Sequence, residues 1–310
     1  MGDLVKSIGI VGISEGNGHP FSYSSIINGY STEGLARSGW PGIYDYVRRR
    51  HLSEFGFEGW KITHAWTQEP ESTRQLCAAC CISNCAEHYQ DFLGNVDAVI
   101  IARDDYRTHR EIAEPFLEAG LPVFIDKPLS VNLSELQYFK PYLEKGQLMS
   151  CSGMRYSREL DEPRTEWETW GQIKLIRGAI VRSWENYGIH LLDAVFSMSP
   201  ARPLSVRMLG SNHASAAIRL DDGSLVQIDA LGDCARTFHL EIFGTKRTGA
   251  FDIVDNFSMF RRMLWQFLES IRSGQPAIPA EMTLEMMRIL IAGKISREEN
   301  REVSLDEITI

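Results

Sequence analysis

Apolar and polar residues follow two different patterns along the chain, and the first pattern fills the first half. Short runs rich in β-branched residues, typical of buried strands, alternate with stretches that have helical spacing. The predicted strands are Ser7–Gly12, Lys61–Thr67, Val96–Ala102 and Pro122–Ile125. The predicted helices begin near Phe21, at Ser72 and at Glu111, and the last two end near Leu93 and Ala119. This alternation predicts an α/β domain with a doubly wound parallel sheet.

In the second half, predicted strands follow one another more directly. Turn residues such as Asp221, Asp222 and Gly223 separate several of them. The predicted strands are Lys174–Trp184, Leu204–Leu209, Ala214–Leu220, Leu225–Ala230 and Phe238–Phe243, and helical spacing returns at Met259–Ile271 and Met282–Ile295. This pattern predicts an α+β domain with an open, mainly antiparallel sheet.

The change of pattern near residue 130 predicts a domain boundary. We expect one domain in residues 1–130 and a second in residues 131–310, with the C-terminal helix packing back on the first domain. The stretch Ser38–Gly59 is the one part of the first half without a clear periodic pattern.

Composition excludes several classes of protein. The 310 residues include 32 Lys and Arg against 41 Asp and Glu, a net charge of −9. An acidic chain is a poor ligand for nucleic acid phosphates or an anionic membrane surface. No run approaches the ~20 apolar residues that span a bilayer. Residues Met1–Lys6 carry no secretion-signal pattern, so we expect a cytoplasmic protein whose six cysteines are free thiols.

The loop after the first predicted strand is a candidate phosphate-binding site. A helix start offers unpaired backbone N–H groups, and glycines allow a phosphate to approach them closely. The loop has Gly12, Gly16 and Gly18, but Ser14 stands where GxGxxG has its second glycine. Asn17 and His19 complete the candidate cofactor contacts. The alternative is a glycine-rich loop without a ligand.

The end of the second predicted strand bears on the choice between NAD and NADP. An acidic residue there accepts hydrogen bonds from the adenosine ribose of NAD. The strand is followed by Gln68 and Glu69, and the next arginine is Arg74. We therefore expect NAD, without excluding NADP, although Glu69 can also be an ordinary solvated charge. Arg103, after the third predicted strand, is a further candidate for the cofactor site.

An Asp-Lys-Pro motif, Asp126-Lys127-Pro128, follows the fourth predicted strand. The ordered set of features before it resembles the Gfo/Idh/MocA family of sugar and polyol dehydrogenases. The members of this set are the strand Val96–Ala102, His109, the helix end Leu117–Gly120 and Val123. Similarity to the family continues in the segment Gly188–Asp193, in Phe243–Lys246 with Gly249, and in Ala292, Ser296 and Val303–Leu305.

The resemblance implies a fold, a cofactor and catalytic roles. The first domain would be a Rossmann domain that binds the dinucleotide, with Asp126 and Lys127 beside the nicotinamide. Lys127 would contact the substrate hydroxyl, and His190 would be the acid/base. Asn186 stands where the family usually has Asp. An amide orients an imidazole but supplies no charge, so the resemblance predicts a weaker proton shuttle at His190 or one carried by Lys127.

Substrate contacts are expected from the second domain. Arg155 and Tyr156 follow a strand-like run and can reach a hydroxyl, a carboxylate or a phosphate, although Arg155 fits a structural ion pair equally well. Tyr187, next to the histidine segment, is a third candidate. The resemblance implies a small carbohydrate substrate and a homodimer or homotetramer.

Two other features receive a structural interpretation. Cys77, Cys80, Cys81 and Cys85 have the spacing of one helical face. That spacing is also the pattern of a buried apolar stripe, so we expect no metal. The basic run Arg48–His51 is interpreted as a solvated surface, with a phosphate contact as the alternative.

Together the residues and the resemblance predict an NAD(P)-dependent oxidoreductase acting on a hydroxyl or carbonyl group of a sugar, a cyclitol or a nucleotide sugar. Two alternatives remain. One is a catalytically silent sensor with the same fold, and the other is an epimerase or lyase that oxidises its substrate transiently.

Overall fold

The structure is a computed structural model that describes residues 5–310. The prediction that the first residues carry no secretion signal falls largely on residues 1–4, which lie outside the described residues. Within residues 5–310, no helix combines the length and the apolar composition needed to cross a membrane.

The chain divides into two compact units. The first unit contains the residues up to Leu129, together with Pro141–Ser150 and Phe260–Ile278. The second contains Ser130–Lys140, Cys151–Met259 and Pro279–Ile310. The chain passes from the first unit to the second after Leu129, and two later segments belong to the first unit again. The segment Pro141–Ser150 supplies a strand to the sheet of the first unit, and Phe260–Ile278 supplies most of a helix that packs in that unit.

A six-stranded sheet forms the centre of the first unit. Its strands are β1 (Lys6–Val11), β2 (Trp60–Trp66), β3 (Asn84–Cys85), β4 (Ala98–Ile101), β5 (Val123–Ile125) and β6 (Leu148–Ser150). All five neighbouring pairs are parallel, in the order β3-β2-β1-β4-β5-β6. This is the Rossmann order, which places a ligand crevice at the carboxyl ends of the strands, where the order reverses between β1 and β4. The predicted doubly wound parallel sheet is confirmed.

Burial explains why these segments form strands. Ile8, Ile10 and Ile100 are fully buried, as are all four residues of β4. A parallel sheet covered on both faces needs such continuous apolar runs rather than an alternating pattern. The connections are α1 (His19–Asn28), α2 (Thr32–Ala36), α3 (Pro41–Val47), α4 (Pro70–Ala79), α5 (His109–Glu118) and α6 (Leu133–Glu144).

A seven-stranded sheet forms the centre of the second unit. Its strands are β7 (Ile173–Ile180), β8 (Pro203–Leu209), β9 (Ala214–Leu220), β10 (Leu225–Ala230), β11 (Phe238–Gly244), β12 (Thr248–Asp252) and β13 (Val303–Ser304). Their order is β12-β11-β7-β10-β9-β8-β13. Five pairs are antiparallel, and only β7 and β10 run parallel. The predicted open, mainly antiparallel sheet is confirmed.

Four further α-helices follow in residues 5–310: α7 (Asp161–Thr165), α8 (Ile189–Phe196), α9 (Asn256–Ser273) and α10 (Ala280–Glu299). Helix α9 runs from the second unit into the first. Helix α10 packs against β8. Within the first unit, Phe267 of α9 lies 5.8 Å, ring to ring, from Phe124 of β5. The helix that joins the first unit is thus α9, whereas the C-terminal helix α10 belongs to the second.

Several predicted elements end elsewhere. The helix predicted from Ser72 to Leu93 begins at Pro70 and stops at Ala79, because Cys81 adopts φ +54° and Asn84–Cys85 pairs with β2. The strand predicted to reach Trp184 stops at Ile180, and Trp184–Gly188 forms a π-helical turn. The stretch Ser38–Gly59 contains α3. Strands β3 and β12 have no strong sequence signal, since each depends on pairing with a distant partner.

Candidate functional site

The glycine loop joins β1 to α1 at the carboxyl end of β1. Gly16 adopts φ +73°, a left-handed conformation that favours glycine. A Cβ at Gly18 would lie 2.6 Å from Ile43 and from the ring of Trp40. Within residues 5–310, the N–H groups of Gly16 and Gly18 donate to no protein acceptor. The loop therefore presents unpaired donors at the positive end of the α1 dipole.

Side chains hold this loop in place from two directions. Ser14 donates its hydroxyl to Asp104 Oδ1 at 2.5 Å, and Asp104 returns a backbone N–H to Ser14 Oγ at 3.1 Å. Gln68 accepts the Ile13 N–H at 2.9 Å and donates to the Ile13 carbonyl at 2.7 Å. Ser14 and Gln68, both predicted to contact the cofactor, thus shape the loop that would contact it.

Asp126 lies at the end of β5 and is buried, with 1% exposure. It accepts hydrogen bonds from Asn17 Nδ2 at 3.1 Å, from the Lys127 N–H at 2.9 Å and from His19 Nδ1. Tyr23 adds a longer contact at 3.4 Å. Burial alone would raise the pKa of the carboxyl, but His19, Lys127 and Asn17 together hold it well below its ordinary value. Asp126 is therefore a buried carboxylate that ties the glycine loop to the Asp-Lys-Pro segment.

Lys127 follows directly and is as deeply buried. Its Nζ lies 3.5 Å from Asp104 Oδ2, and its side chain is 3% exposed against 20% for Asp104. The peptide bond between Lys127 and Pro128 is cis. A buried ammonium group needs a partner, and here the partner is the carboxylate that also receives the Ser14 hydroxyl. The same carboxylate therefore connects Lys127 with the glycine loop.

The other predicted cofactor residues lie near the same edge of the sheet. Glu69 is exposed three positions after the end of β2 and directly before α4, near the place where a ribose-binding carboxylate is expected. Arg103, after β4, is buried and forms a two-pronged ion pair with Asp105 at 2.9 and 2.5 Å. His109 is also buried, with its ring nitrogens 2.9 Å from the Leu129 carbonyl and 2.8 Å from the Arg103 carbonyl. His109 thus links the loop after β4 to the segment after Lys127.

These residues fit a dinucleotide. The unpaired N–H groups of Gly16 and Gly18 suit a pyrophosphate, and Glu69 suits a ribose. The first unit therefore has a dinucleotide-type loop and a buried lysine at one edge of its sheet.

The second unit contains a separate group of candidate residues around His190. His190 lies on α8 and is 7% exposed. Its Nδ1 is 2.6 Å from the hydroxyl oxygen of Ser152, which also accepts the Met154 N–H at 3.1 Å. Tyr187 lies edge-on to the imidazole, with 5.1 Å between ring centroids. The histidine is thus held by a buried hydroxyl.

Asp193 lies one turn further along α8 and is buried. One carboxylate oxygen accepts the Ser152 N–H at 2.6 Å, and the other lies 3.5 Å from Arg155 Nη1. Burial raises the pKa of this carboxyl to about 6, although Arg155 and the Ser152 N–H act in the opposite direction. Arg155 is therefore partly neutralised by an ion pair, as the structural interpretation predicts.

Two predicted site residues remain, Asn186 and Tyr156. Asn186 is exposed, in the π-helical turn before α8, and its side chain forms no hydrogen bond with the described residues. Tyr156 is mostly buried, and burial raises the pKa of its hydroxyl. Ser152, which the sequence analysis did not single out, forms the hydrogen bond with His190 Nδ1. The only signal for Ser152 is its place just after a short strand-like run.

The four cysteines do not share a helical face, contrary to the prediction. Cys77 and Cys80 are buried around the end of α4, whereas Cys81 and Cys85 are exposed. Burial raises the pKa of the Cys80 thiol to about 12, which keeps the sulfur protonated and a poor metal ligand. In residues 5–310, no group of three or more His, Cys, Asp or Glu side chains is placed to hold a metal ion.

Comparison with solved structures shows a shared fold along the whole chain. Scyllo-inositol dehydrogenase from Lactobacillus casei has a TM-score of 0.78 and 16% identity, covering 99% of this chain and 100% of its own. Myo-inositol 2-dehydrogenase from Lactobacillus plantarum has a TM-score of 0.76 and 16% identity, covering 96% and 99%. A probable dehydrogenase from Thermotoga maritima has a TM-score of 0.75 and 18% identity, covering 98% and 100%.

A family model gives the sequence-level match. No curated protein matches the chain. Residues 42–153 match the GFO_IDH_MocA family, described as an oxidoreductase family with an NAD-binding Rossmann fold. The matched range contains Asp126-Lys127-Pro128 but not the glycine loop. The sequence-level similarity to this family therefore covers residues 42–153, and the shared fold extends along the rest of the chain.

Proposed function

We propose that the protein is an NAD-dependent dehydrogenase that transfers a hydride between the nicotinamide and a secondary hydroxyl or carbonyl of a sugar, a cyclitol or a nucleotide sugar. The observation that carries the proposal is the buried Lys127 beside Asp104, after β5 of a Rossmann-ordered sheet. Two solved structures of the same fold are inositol dehydrogenases from Lactobacillus casei bound to NAD(H) with scyllo-inositol or myo-inositol, which supports a polyol substrate.

Each side chain has a definite task in this proposal. The bound nicotinamide supplies the hydride acceptor or donor. Lys127 holds positive charge where the substrate oxygen becomes an alkoxide, and a fixed charge in a buried site stabilises such a transition state strongly. Asp104 and Asp126 hold Lys127 through its ammonium and its backbone. The resemblance supports His190, Arg155, Tyr156 and Tyr187 as the further candidates for substrate contact.

The seven-stranded sheet is also proposed to pair with another subunit, giving a homodimer or homotetramer. Leu204 and Leu209 of β8 and Phe243 of β11 are exposed apolar residues in this sheet, at 46%, 45% and 36%. Sedimentation analysis of the purified protein measures the assembly, and a monomer at micromolar concentration contradicts this part of the proposal.

The test of the activity is the reduction of nicotinamide. The protein is incubated with NAD, and separately with NADP, plus inositol isomers, hexoses and nucleotide sugars, and absorbance at ~340 nm is followed. Loss of the charge in Lys127→Met should lower the rate by at least ~100-fold, in the range of a lost catalytic group. Lys61→Met, which removes an exposed lysine from β2 of the same sheet, is the matched control.

Three outcomes separate the alternatives. Net formation of reduced nicotinamide that depends on Lys127 supports the dehydrogenase. Product formation without net reduction indicates an epimerase or lyase. Tight NAD binding without turnover, unchanged in Lys127→Met, indicates a sensor and contradicts the proposal.

A further inference from the structure

The hydroxyl of Ser152 has a restricted choice of partners. Ser152 is fully buried, and its Oγ already accepts the Met154 N–H at 3.1 Å. A hydroxyl carries one hydrogen, and burial without an acceptor is costly. Among the described residues, the acceptor within reach of that hydrogen is His190 Nδ1 at 2.6 Å. The hydroxyl therefore donates to Nδ1.

This donation fixes the tautomer of the neutral ring. When Nδ1 accepts a hydrogen bond, the single ring proton of a neutral imidazole lies on Nε2. A carboxylate at Nδ1 would require the opposite arrangement, because a carboxylate can only accept. Asp193, the nearest carboxylate on the same helix, instead accepts the Ser152 backbone N–H at 2.6 Å and pairs with Arg155. It therefore holds the Ser152 backbone in place without contacting the hydroxyl.

We propose that Ser152 is a positioning residue that holds neutral His190 as the Nε2–H tautomer, so that His190 donates a hydrogen bond to the reacting oxygen rather than removing its proton. The proposal rests on the proposed dehydrogenase function. In oxidation, the Nε2–H stabilises the developing alkoxide; in reduction, it polarises the carbonyl. Neither step changes the protonation of His190: the hydroxyl proton leaves to water in oxidation and is taken from water in reduction, while Lys127 stays an ammonium.

A histidine that stays neutral also explains why the exposed Asn186 side chain is not needed as a partner of the ring. An acid/base histidine benefits from a partner that supports the charged ring, whereas a neutral donor needs only its tautomer fixed. The Asn186 side chain forms no hydrogen bond with the described residues, and the Ser152 hydroxyl fixes the tautomer of His190 instead.

The direct test measures the ring nitrogens. Protein labelled with ¹⁵N in histidine is studied by long-range ¹H–¹⁵N NMR near pH 8, and the His190 signals are assigned by their loss in His190→Gln. We expect one protonated nitrogen, Nε2, in the wild type. In Ser152→Ala the two ¹⁵N shifts should move towards each other as the tautomers mix, and Ser152→Thr, which keeps the hydroxyl, should restore the wild-type pattern.

Ser157→Ala is the matched control. Ser157 is equally buried in the same turn, and its hydroxyl donates to the Met154 carbonyl at 2.9 Å without contacting His190. Its loss should leave the His190 shifts unchanged. Ser152→Ala should lower kcat roughly tenfold, the effect of one lost hydrogen bond, and leave the KM for NAD unchanged.

The outcomes distinguish this proposal from the function on which it rests. A proton on Nδ1 in the wild type, or unchanged shifts in Ser152→Ala, overturns the role of Ser152. An equal effect in Ser157→Ala reduces that role to packing and overturns it as well. Absence of NAD reduction by the wild type contradicts the dehydrogenase, and the spectra still decide the tautomer.

Discussion

His19 and Asp126 are hydrogen-bonded side chain to side chain although 107 positions separate them in the sequence. His19 begins α1, directly after the glycine loop, and Asp126 directly follows β5. The His19 ring stacks on Tyr23 and meets Phe260 of α9 edge-on, each with centroids 5.0 Å apart. The pair therefore joins the loop that would hold the dinucleotide to the segment that carries Lys127.

Asp126→Asn tests the strength of this link. The carboxylate accepts hydrogen bonds from three different side chains and a backbone N–H, and an amide would turn one NH₂ towards these donors. We expect the free energy of unfolding to fall by about 3 kcal/mol, as when a buried pair loses one partner. Urea denaturation at pH 7 measures it, with Asp97→Asn, an exposed carboxylate before β4, as the control. Equal stability of Asp126→Asn and wild type would show that the pair is dispensable.

The two buried carboxylates should give opposite pH dependences. Because the pKa of Asp193 is raised to about 6, its stabilising effect is complete below pH 4 and is lost as the pH rises through about 6. A shift of this size corresponds to about 3 kcal/mol. Because the pKa of Asp126 is lowered, its contribution is present above pH 4 and is lost as the pH falls.

Unfolding free energies of wild type and Asp193→Asn between pH 4 and pH 7 check the first of these dependences. The stability difference between the two proteins should change by up to about 3 kcal/mol over this range, with the wild type losing stability as the pH rises. Parallel curves for the two proteins would contradict the assignment.

The substitutions Gly18→Ala and Gly42→Ala should have different effects on NAD binding. A Cβ at Gly18 would meet Ile43 and Trp40 at 2.6 Å, so Gly18→Ala must displace α3 or the glycine loop. We expect at least a tenfold weaker binding of NAD, measured by calorimetry. A Cβ at Gly42, inside α3, meets no atom within 4 Å. Gly42→Ala should bind NAD normally and gain roughly 0.5 kcal/mol of stability; similar affinities for both variants would exclude close packing as the constraint at Gly18.

Glu69 should determine the preference for NAD over NADP. Its exposed carboxylate follows β2, where it can accept ribose hydrogen bonds and repel a 2′-phosphate. Glu69→Gln should reduce the ratio of kcat/KM for NAD over NADP about tenfold, which is about 1.4 kcal/mol. Glu71→Gln is the control, because Glu71 lies only two positions further on, in the first turn of α4, and is paired with Arg74 at 2.6 Å. An unchanged ratio in Glu69→Gln would place the adenosine ribose elsewhere.

The sequence by itself determined the layers of the fold and the central motif. The apolar residues of Val96–Ala102, rich in Val and Ile, indicate a buried strand, and the alternation of such runs with helical spacing predicts a parallel sheet. The Asp-Lys-Pro motif pointed to the matched family because its ordered neighbours are local in the chain. The helix predicted from Ser72 to Leu93 was too long, because β3 lies within that range and forms only through its pairing with His64 and Ala65 of β2.

Only the tertiary structure decided which side chains are partners. Gln68 shapes the glycine loop, Asp104 pairs with Lys127, and Ser152 holds His190 where the sequence suggested Asn186. A hydrogen bond between residues tens of positions apart depends on how the chain folds back on itself, and local sequence preferences do not specify this. Burial then fixes the chemistry, because a buried hydroxyl or carboxylate must take whichever partner the fold brings within about 3 Å.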